Sequence, residues 1–346
     1  MSDLLSLSDD ECKERWLNLD LGYGHQLGCP LLREDIVSQY FEKDENVSIS
    51  ASDVNVVVPA EGIYLAMTTL LTPSDHVVVT TPSYQSLHQL AESRGCDVSR
   101  WSPSTSVDGK YTFDVDELIS MITPQTKMVV MNFPHNPTGG MITPAELRCI
   151  IYHCRANDAY LFMDEMYKYL EHPGVETLPS VATLYEKGIS LGGVSKWGSL
   201  AGIRIGWVAT KDEFAKREIA KMKDYTTISS SRPSEVLASI GLRNKSILVK
   251  SNMDIINEGK AYLRAFVQSH PDKFEWFEPE GGSFAFVKLL GDVNASEYVK
   301  NLAEKADLCV MPSELFIDAG DKSLRICFGR KETIEMIERW RLVVEG

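Results

Sequence analysis

Several classes of protein are excluded by what this chain has little of. Basic residues are outnumbered, 35 Lys and Arg against 49 Asp and Glu, for a formal charge of −14. Nucleic-acid binding needs a basic face that displaces counterions, so no nucleic-acid partner is expected. No apolar run reaches the roughly 18 residues that a bilayer-spanning helix requires, so no membrane partner is expected either. The seven cysteines, at 12, 29, 96, 149, 154, 309 and 327, form no CxxC pair and leave one over. A disulfide scaffold does not suit a chain of this size, whereas a reducing compartment does. No GxGxxG follows a first strand to take a dinucleotide, no GxxxxGK[ST] marks a triphosphate site, and no HExxH marks a metal. The opening residues MSDLLSLSDDECKERW are acidic and lack the basic start of a secretory signal. The expectation is a cytoplasmic protein that handles small molecules.

What is present fits a layered α/β protein. The 346 residues are 44% hydrophobic, enough for a large core. Short apolar runs read as buried strands: NVVV (55–58), HVVVT (76–80), KMVVMNF (127–133), YLFMD (160–164), GISLGG (188–193) and IGWVAT (205–210). Helical patterns lie between them, at 59–71, 83–95 and 143–158. Thr143-Pro144-Ala145-Glu146 opens the last of these, with a capping threonine, a proline at the first helical position and a glutamate three residues on. Strand and helix in alternation predict a large domain with a mostly parallel sheet covered by helices on both faces. After about residue 235 the pattern changes. A long helical stretch (234–270) leads to FEWFEPEGGSFAFVKL, DLCVMPSELF, SLRICFGR and a terminal helix over 331–344. These predict a smaller α+β C-terminal domain.

In parallel α/β sheets, ligands bind beyond the carboxyl ends of the strands. The polar residues there are Asn136 after KMVVMNF, Asp164 at the end of YLFMD with Tyr167 three residues later, and Lys196 after GISLGGVS. Each lies about one strand-to-strand crossover from the next. From Gly188 through Thr210 the only charges are Lys196 and Arg204. Each residue alone has a plainer use: a solvent loop for the Lys–Arg pair, a helix cap for Asp164, ordinary packing for Tyr167, a turn for NPTG. Together they converge. A desolvated lysine has its charged form disfavoured, which frees the amine to form a Schiff base with an aldehyde. A carboxylate in the same crevice can hold a pyridine nitrogen protonated. Pyridoxal 5′-phosphate needs that pair, and Arg204 with a helix start near PAEGIYLAM would take its phosphate.

The segments PHNPTGG, FMDEMYKYL and VSKWGSLAGIRIGW, in this order and spacing, resemble the class I/II aminotransferase family of fold-type I pyridoxal-phosphate enzymes. The likeness runs from about Leu19 to the C-terminus. It implies an aspartate-aminotransferase-like fold, divided into an N-terminal segment (1–20) packing with the small domain, a large cofactor-binding domain (21–235) and a small C-terminal domain (236–346). It also implies roles. Lys196 would be the Schiff-base lysine and the base that moves the Cα proton, and Asp164 would pair with the pyridine nitrogen. Asn136 and Tyr167 would reach the ring's phenolic oxygen, and Tyr84, in TTPSYQSL, would stack on the ring. Ser195 and Arg204, with backbone from Ala60 and Glu61, would hold the phosphate. Tyr23, in LGYGHQLG, would reach the cofactor phosphate of the partner in a homodimer. Arg325, in SLRICFGR, would grip the substrate carboxylate, with Asn136 beside it.

Three departures from the family pattern stand out. Gly193 occupies a position where many relatives carry a phosphate-touching hydroxyl, a loss of about 1 kcal/mol. Pro59 removes one amide donor near the helix start. Only about 20 residues precede the YG motif, fewer than in most family members. The activity expected is transfer of an amino group between an amino acid and a 2-oxo acid. AEGIYLAM and TPSYQSL also resemble a subgroup that includes capreomycidine synthase, which implies elimination and cyclisation as the alternative. A third reading is a catalytically silent binding protein, against which intact Lys196, Asp164, Tyr167 and Arg325 argue.

Overall fold

The computed structural model describes residues 2–41 and 48–346. Its strands, in chain order, are β1 (Val54–Val57), β2 (His76–Thr80), β3 (Asp97–Trp101), β4 (Ser104–Thr105), β5 (Tyr111–Thr112), β6 (Thr126–Asn132) and β7 (Tyr160–Asp164). They continue with β8 (Gly188–Gly193), β9 (Gly206–Thr210), β10 (Phe274–Trp276), β11 (Phe284–Leu289), β12 (Met311–Pro312) and β13 (Ser323–Cys327). Seven form one sheet in the order β1-β9-β8-β7-β6-β2-β3. The pairings from β3 through β8 are parallel, and β9 alone runs against its neighbours.

Both faces of this sheet are covered, which explains why its inner strands are mostly apolar rather than alternating. Val77, Val79, Met128 and Val130 pack to one side with Ile63 and Leu65 of the helix Pro59–Leu70. Val78, Val129 and Met131 pack to the other with Leu147 and Ile150 of the helix Pro144–Ala156. That second helix starts as its sequence predicts: Glu146 N donates to Thr143 Oγ1 at 3.2 Å and Thr143 N donates to Glu146 Oε2 at 2.6 Å.

A second sheet, entirely antiparallel in the order β10-β11-β13-β12, carries the C-terminal region. The stretch 234–270 is two helices, Arg232–Arg243 and Lys245–Gln268, rather than one. Asn244 breaks them at φ −111° and ψ 25°, and its side chain donates to the carbonyls of Leu7 and Ile240. Leu4 and Cys12 of the N-terminal segment bury against Val236, Leu237 and Ile240 of the first helix. No helix among the described residues is long and apolar enough to cross a membrane.

The two sheets meet where the segment Pro279–Gly282 crosses the turn after β6. Glu280 N and Gly281 N both donate to the Gly139 carbonyl, at 2.8 and 2.9 Å, and Gly282 N donates to Leu170 O at 2.9 Å. Gly139 has φ +73°, and a Cβ there would lie 2.5 Å from Pro279 Cβ, so only glycine lets the two segments touch.

Candidate active site

Beyond the carboxyl ends of β2, β6, β7 and β8 lies a cavity of about 190 Å³ lined by Ala60, Tyr84, Asn136, Asp164, Tyr167, Ser195, Lys196 and Arg204 among others. Eight of the residues singled out from the sequence therefore share one crevice. Arg325, from the middle of β13, reaches it from the other sheet by donating from Nη1 to Asn136 Oδ1 at 3.0 Å.

Asp164 closes β7 and is buried, with its Oδ1 accepting the Met166 amide at 3.0 Å. Burial raises its pKa from 3.8 to about 7, against the pull of the Met166 amide and of Lys196. A carboxyl so placed keeps its charge only when a cationic or N–H partner comes to it. Lys196 is open to the crevice, its Nζ 5.3 Å from the centre of the Tyr167 ring. Its pKa is lowered, first by the surrounding protein and then by Arg325, with Asp164 opposing. Tyr167 is buried, its hydroxyl pKa raised by desolvation, and its ring packs edge-on against Phe284 at 4.8 Å. The Arg325 guanidinium lies 5.5 and 5.4 Å from the ring centres of Phe284 and Phe316, with Nη2 2.7 Å from Met311 Sδ.

Residues that the sequence reading missed fix these groups in place. Asn132 ends β6 fully buried. Its Nδ2 donates to the Asp164 carbonyl and its Oδ1 accepts the Asn136 amide, both at 2.8 Å. One amide side chain thus sets the Asp164 strand and the Asn136 turn together. Asn252, on the helix Lys245–Gln268, donates to the Lys196 carbonyl at 2.8 Å. The available signal was a polar residue at a strand end or on a packed helix face, where an unpaired amide is costly.

The end of the crevice at Ser195 has features that suit an anion. Ser195 Oγ is buried with no hydrogen-bond partner among the described residues. Arg204, at φ +57°, donates to the Ala201 carbonyl at the crevice rim. The helix Pro59–Leu70 begins there, with the Ala60 and Glu61 amides in its first turn, where helices leave N–H groups unpaired. The Glu61 side chain turns away from the cavity, taking hydrogen bonds from the Thr226 and Thr227 hydroxyls and from the Thr227 and Val58 amides. At Gly193 a Cβ would lie 3.1 Å from Met166 Sδ and 3.2 Å from Gly206 Cα, so a side chain would have to displace its neighbours. Tyr23 stands apart, 84% exposed, beside a separate groove with Arg15, Arg232 and Glu235. Its segment is fastened by buried Lys223, which donates to the carbonyls of Gln26 and Val56.

An isolated amine, a buried carboxyl and an orphaned hydroxyl beside an arginine and a helix start suit pyridoxal 5′-phosphate, and the architecture is that of the aspartate-aminotransferase-like α/β enzymes. Residues 18–339 match the family model for aminotransferase class I and II, and the chain belongs to that family. It is a pyridoxal-phosphate-dependent transaminase. Among curated relatives, capreomycidine synthase of Streptomyces vinaceus is 27% identical over 74% of this chain, a match spanning just under two thirds (65%) of that enzyme. An aspartate aminotransferase of Pyrococcus horikoshii is 25% identical over 95% of this chain and 85% of its own length. In three dimensions, a PLP-dependent aminotransferase from Streptococcus suis superposes with a TM-score of 0.88 over 99% of this chain and 90% of that one, at 24% identity.

Proposed function

We propose that the chain moves the α-amino group of an amino acid to a 2-oxo acid in this crevice, acting as a homodimer in the cytoplasm. When bound, pyridoxal phosphate supplies an aldehyde carbon for the amine and a protonated ring that draws electrons from the substrate Cα. The observation that carries the reading is that Lys196 and Asp164 line one cavity. Lys196 Nζ would hold the cofactor through its aldehyde carbon and would take the proton from the substrate Cα, a task that its lowered pKa suits. Asp164 would pair with the pyridine nitrogen, whose N–H would favour the carboxylate charge that burial disfavours. Asn136 and Tyr167 hydrogen-bond the ring's phenolic oxygen, and Tyr84 covers the ring. Ser195, Arg204 and the amides of Ala60 and Glu61 hold the phosphate. Arg325, with Asn136, orients the substrate carboxylate through a forked pair of hydrogen bonds.

Tyr23, exposed in the single chain, reaches the phosphate of the partner's cofactor. The chain divides into a cofactor-binding domain (21–235) and a small domain (236–346), with 1–20 as a packing segment. Seven free thiols support a reducing compartment.

The test is spectroscopic. Protein purified with its cofactor should lose the bound-aldehyde absorption band on addition of one or more of the twenty amino acids and regain it with a 2-oxo acid. Lys196→Ala should lower turnover by on the order of 10⁴-fold while leaving cofactor partly bound. Full turnover in that variant would sink the proposal. A second reading, elimination or cyclisation, is favoured by the likeness to capreomycidine synthase. Ammonia release or ring closure without a 2-oxo acid would select it instead.

A further inference from the structure

The two sheets are joined along a second seam, built from side chains instead of backbone. Asp318 lies in the connection between β12 and β13. It accepts a hydrogen bond from Thr81 Oγ1 at 2.9 Å and sits 3.5 Å from Arg100 Nη1. Thr81 directly follows β2, three residues before Tyr84, and Arg100 belongs to β3. Arg100 is itself braced by Glu92 at 2.9 Å. Two residues before Asp318, Phe316 is buried with its ring 5.7 Å from Phe286 and 5.4 Å from the Arg325 guanidinium. Arg325 thus takes its direction from two rings, a thioether and one amide oxygen. An arginine aimed by stacking keeps its aim only while the rings stay in place.

We propose that Asp318 is a positioning residue for the substrate carboxylate. By latching the 313–322 connection onto Thr81 and Arg100, it keeps Phe316 against Arg325 and the guanidinium turned toward Asn136. This rests on the reading of Arg325 as the carboxylate grip. The latch spans both sheets, so the connection that carries Phe316 is tethered to the end of β2 and to β3.

The backbone at Asp318 has φ +62°, a conformation that asparagine and glycine also adopt readily, so substitution there can remove the latch without straining the chain. With the cofactor-loaded enzyme and phenylalanine or aspartate as donor, the loss of the bound-cofactor band is followed in a single turnover. Asp318→Gly is expected to raise the half-saturating donor concentration about tenfold, and Asp318→Asn about threefold. The limiting rate should stay within about twofold and the cofactor dissociation constant should not move, since neither depends on a hydrogen bond at this seam. Thr81→Val alone should raise half-saturation about threefold and should add nothing on top of Asp318→Gly. Should Asp318→Gly fail to fold, Thr81→Val carries the test.

An unchanged half-saturation in Asp318→Gly, or in Thr81→Val where only that variant folds, overturns the latch. So does a loss of cofactor affinity as large as the loss for donor, because that marks a merely structural role. Arg325→Lys separates this proposal from the one beneath it. If it leaves donor half-saturation unchanged, the carboxylate reading itself falls. If it raises half-saturation while Asp318→Gly does not, only the latch falls.

Discussion

The two halves of the site are built by different means. On the large sheet, Asn136, Asp164, Tyr167 and Lys196 stand just beyond strand ends, delivered to one place by parallel crossovers and clamped by Asn132 and Asn252. On the small sheet, Arg325 lies mid-strand, opposite Phe286 on one side and Met311 on the other, and is aimed by aromatic rings. The first half is fixed by topology and buried hydrogen bonds, which tolerate little displacement. The second is fixed by packing across a seam between sheets, which can be re-aimed without unfolding either. A crevice that holds a permanent group suits the first construction, and a grip that must take and release substrate suits the second.

If the two halves are as separate as this, changes in each should show in different measurements. The largest effect is expected at Asp164 in cofactor-free protein. Its folded pKa is raised from 3.8 to about 7, so between those values the native state holds a proton that the unfolded chain has lost. Stability from this group is therefore present at low pH and lost as pH rises through that window, by up to about 4 kcal/mol. Asp164→Asn should match the parent near about pH 4 and exceed it in urea unfolding near about pH 8. Equal stability at both would mean that the carboxyl is solvated, and the comparison would fail at its firmest point.

Next comes Arg325→Ala. It should lower kcat/KM by about 100-fold, the cost of a charge-assisted contact, with cofactor affinity unchanged. A parallel loss of cofactor would show that the two halves are not independent. The smallest effect sharpens the picture at the phosphate. Ser195→Ala should weaken cofactor binding about fivefold in an absorbance titration, while the cofactor-free protein becomes no less stable, since a buried hydroxyl without a partner is removed.

The same division decided what could be read from the sequence. Strands buried on both faces announce themselves as short, mostly apolar runs, and six of the large sheet's seven strands coincide with such runs. β3, DVSRW, does not: it is an edge strand, partly exposed, and its polar residues hide it. Asn136, Asp164 and Lys196 were legible because their place follows from where strands end. Phe316, Met311 and Asp318 were not, because they act on Arg325 or across the seam only through distant segments brought together in space. Asn244 was missed because its helix break depends on the N-terminal Leu7 carbonyl, some 240 positions away.

Asn132 has a further consequence. Because one amide grips both the Asp164 carbonyl and the Asn136 amide, a substitution there would loosen the end of β7 and the turn after β6 together. The surroundings of Arg325 can therefore change one residue at a time, whereas the floor of the crevice changes as a unit.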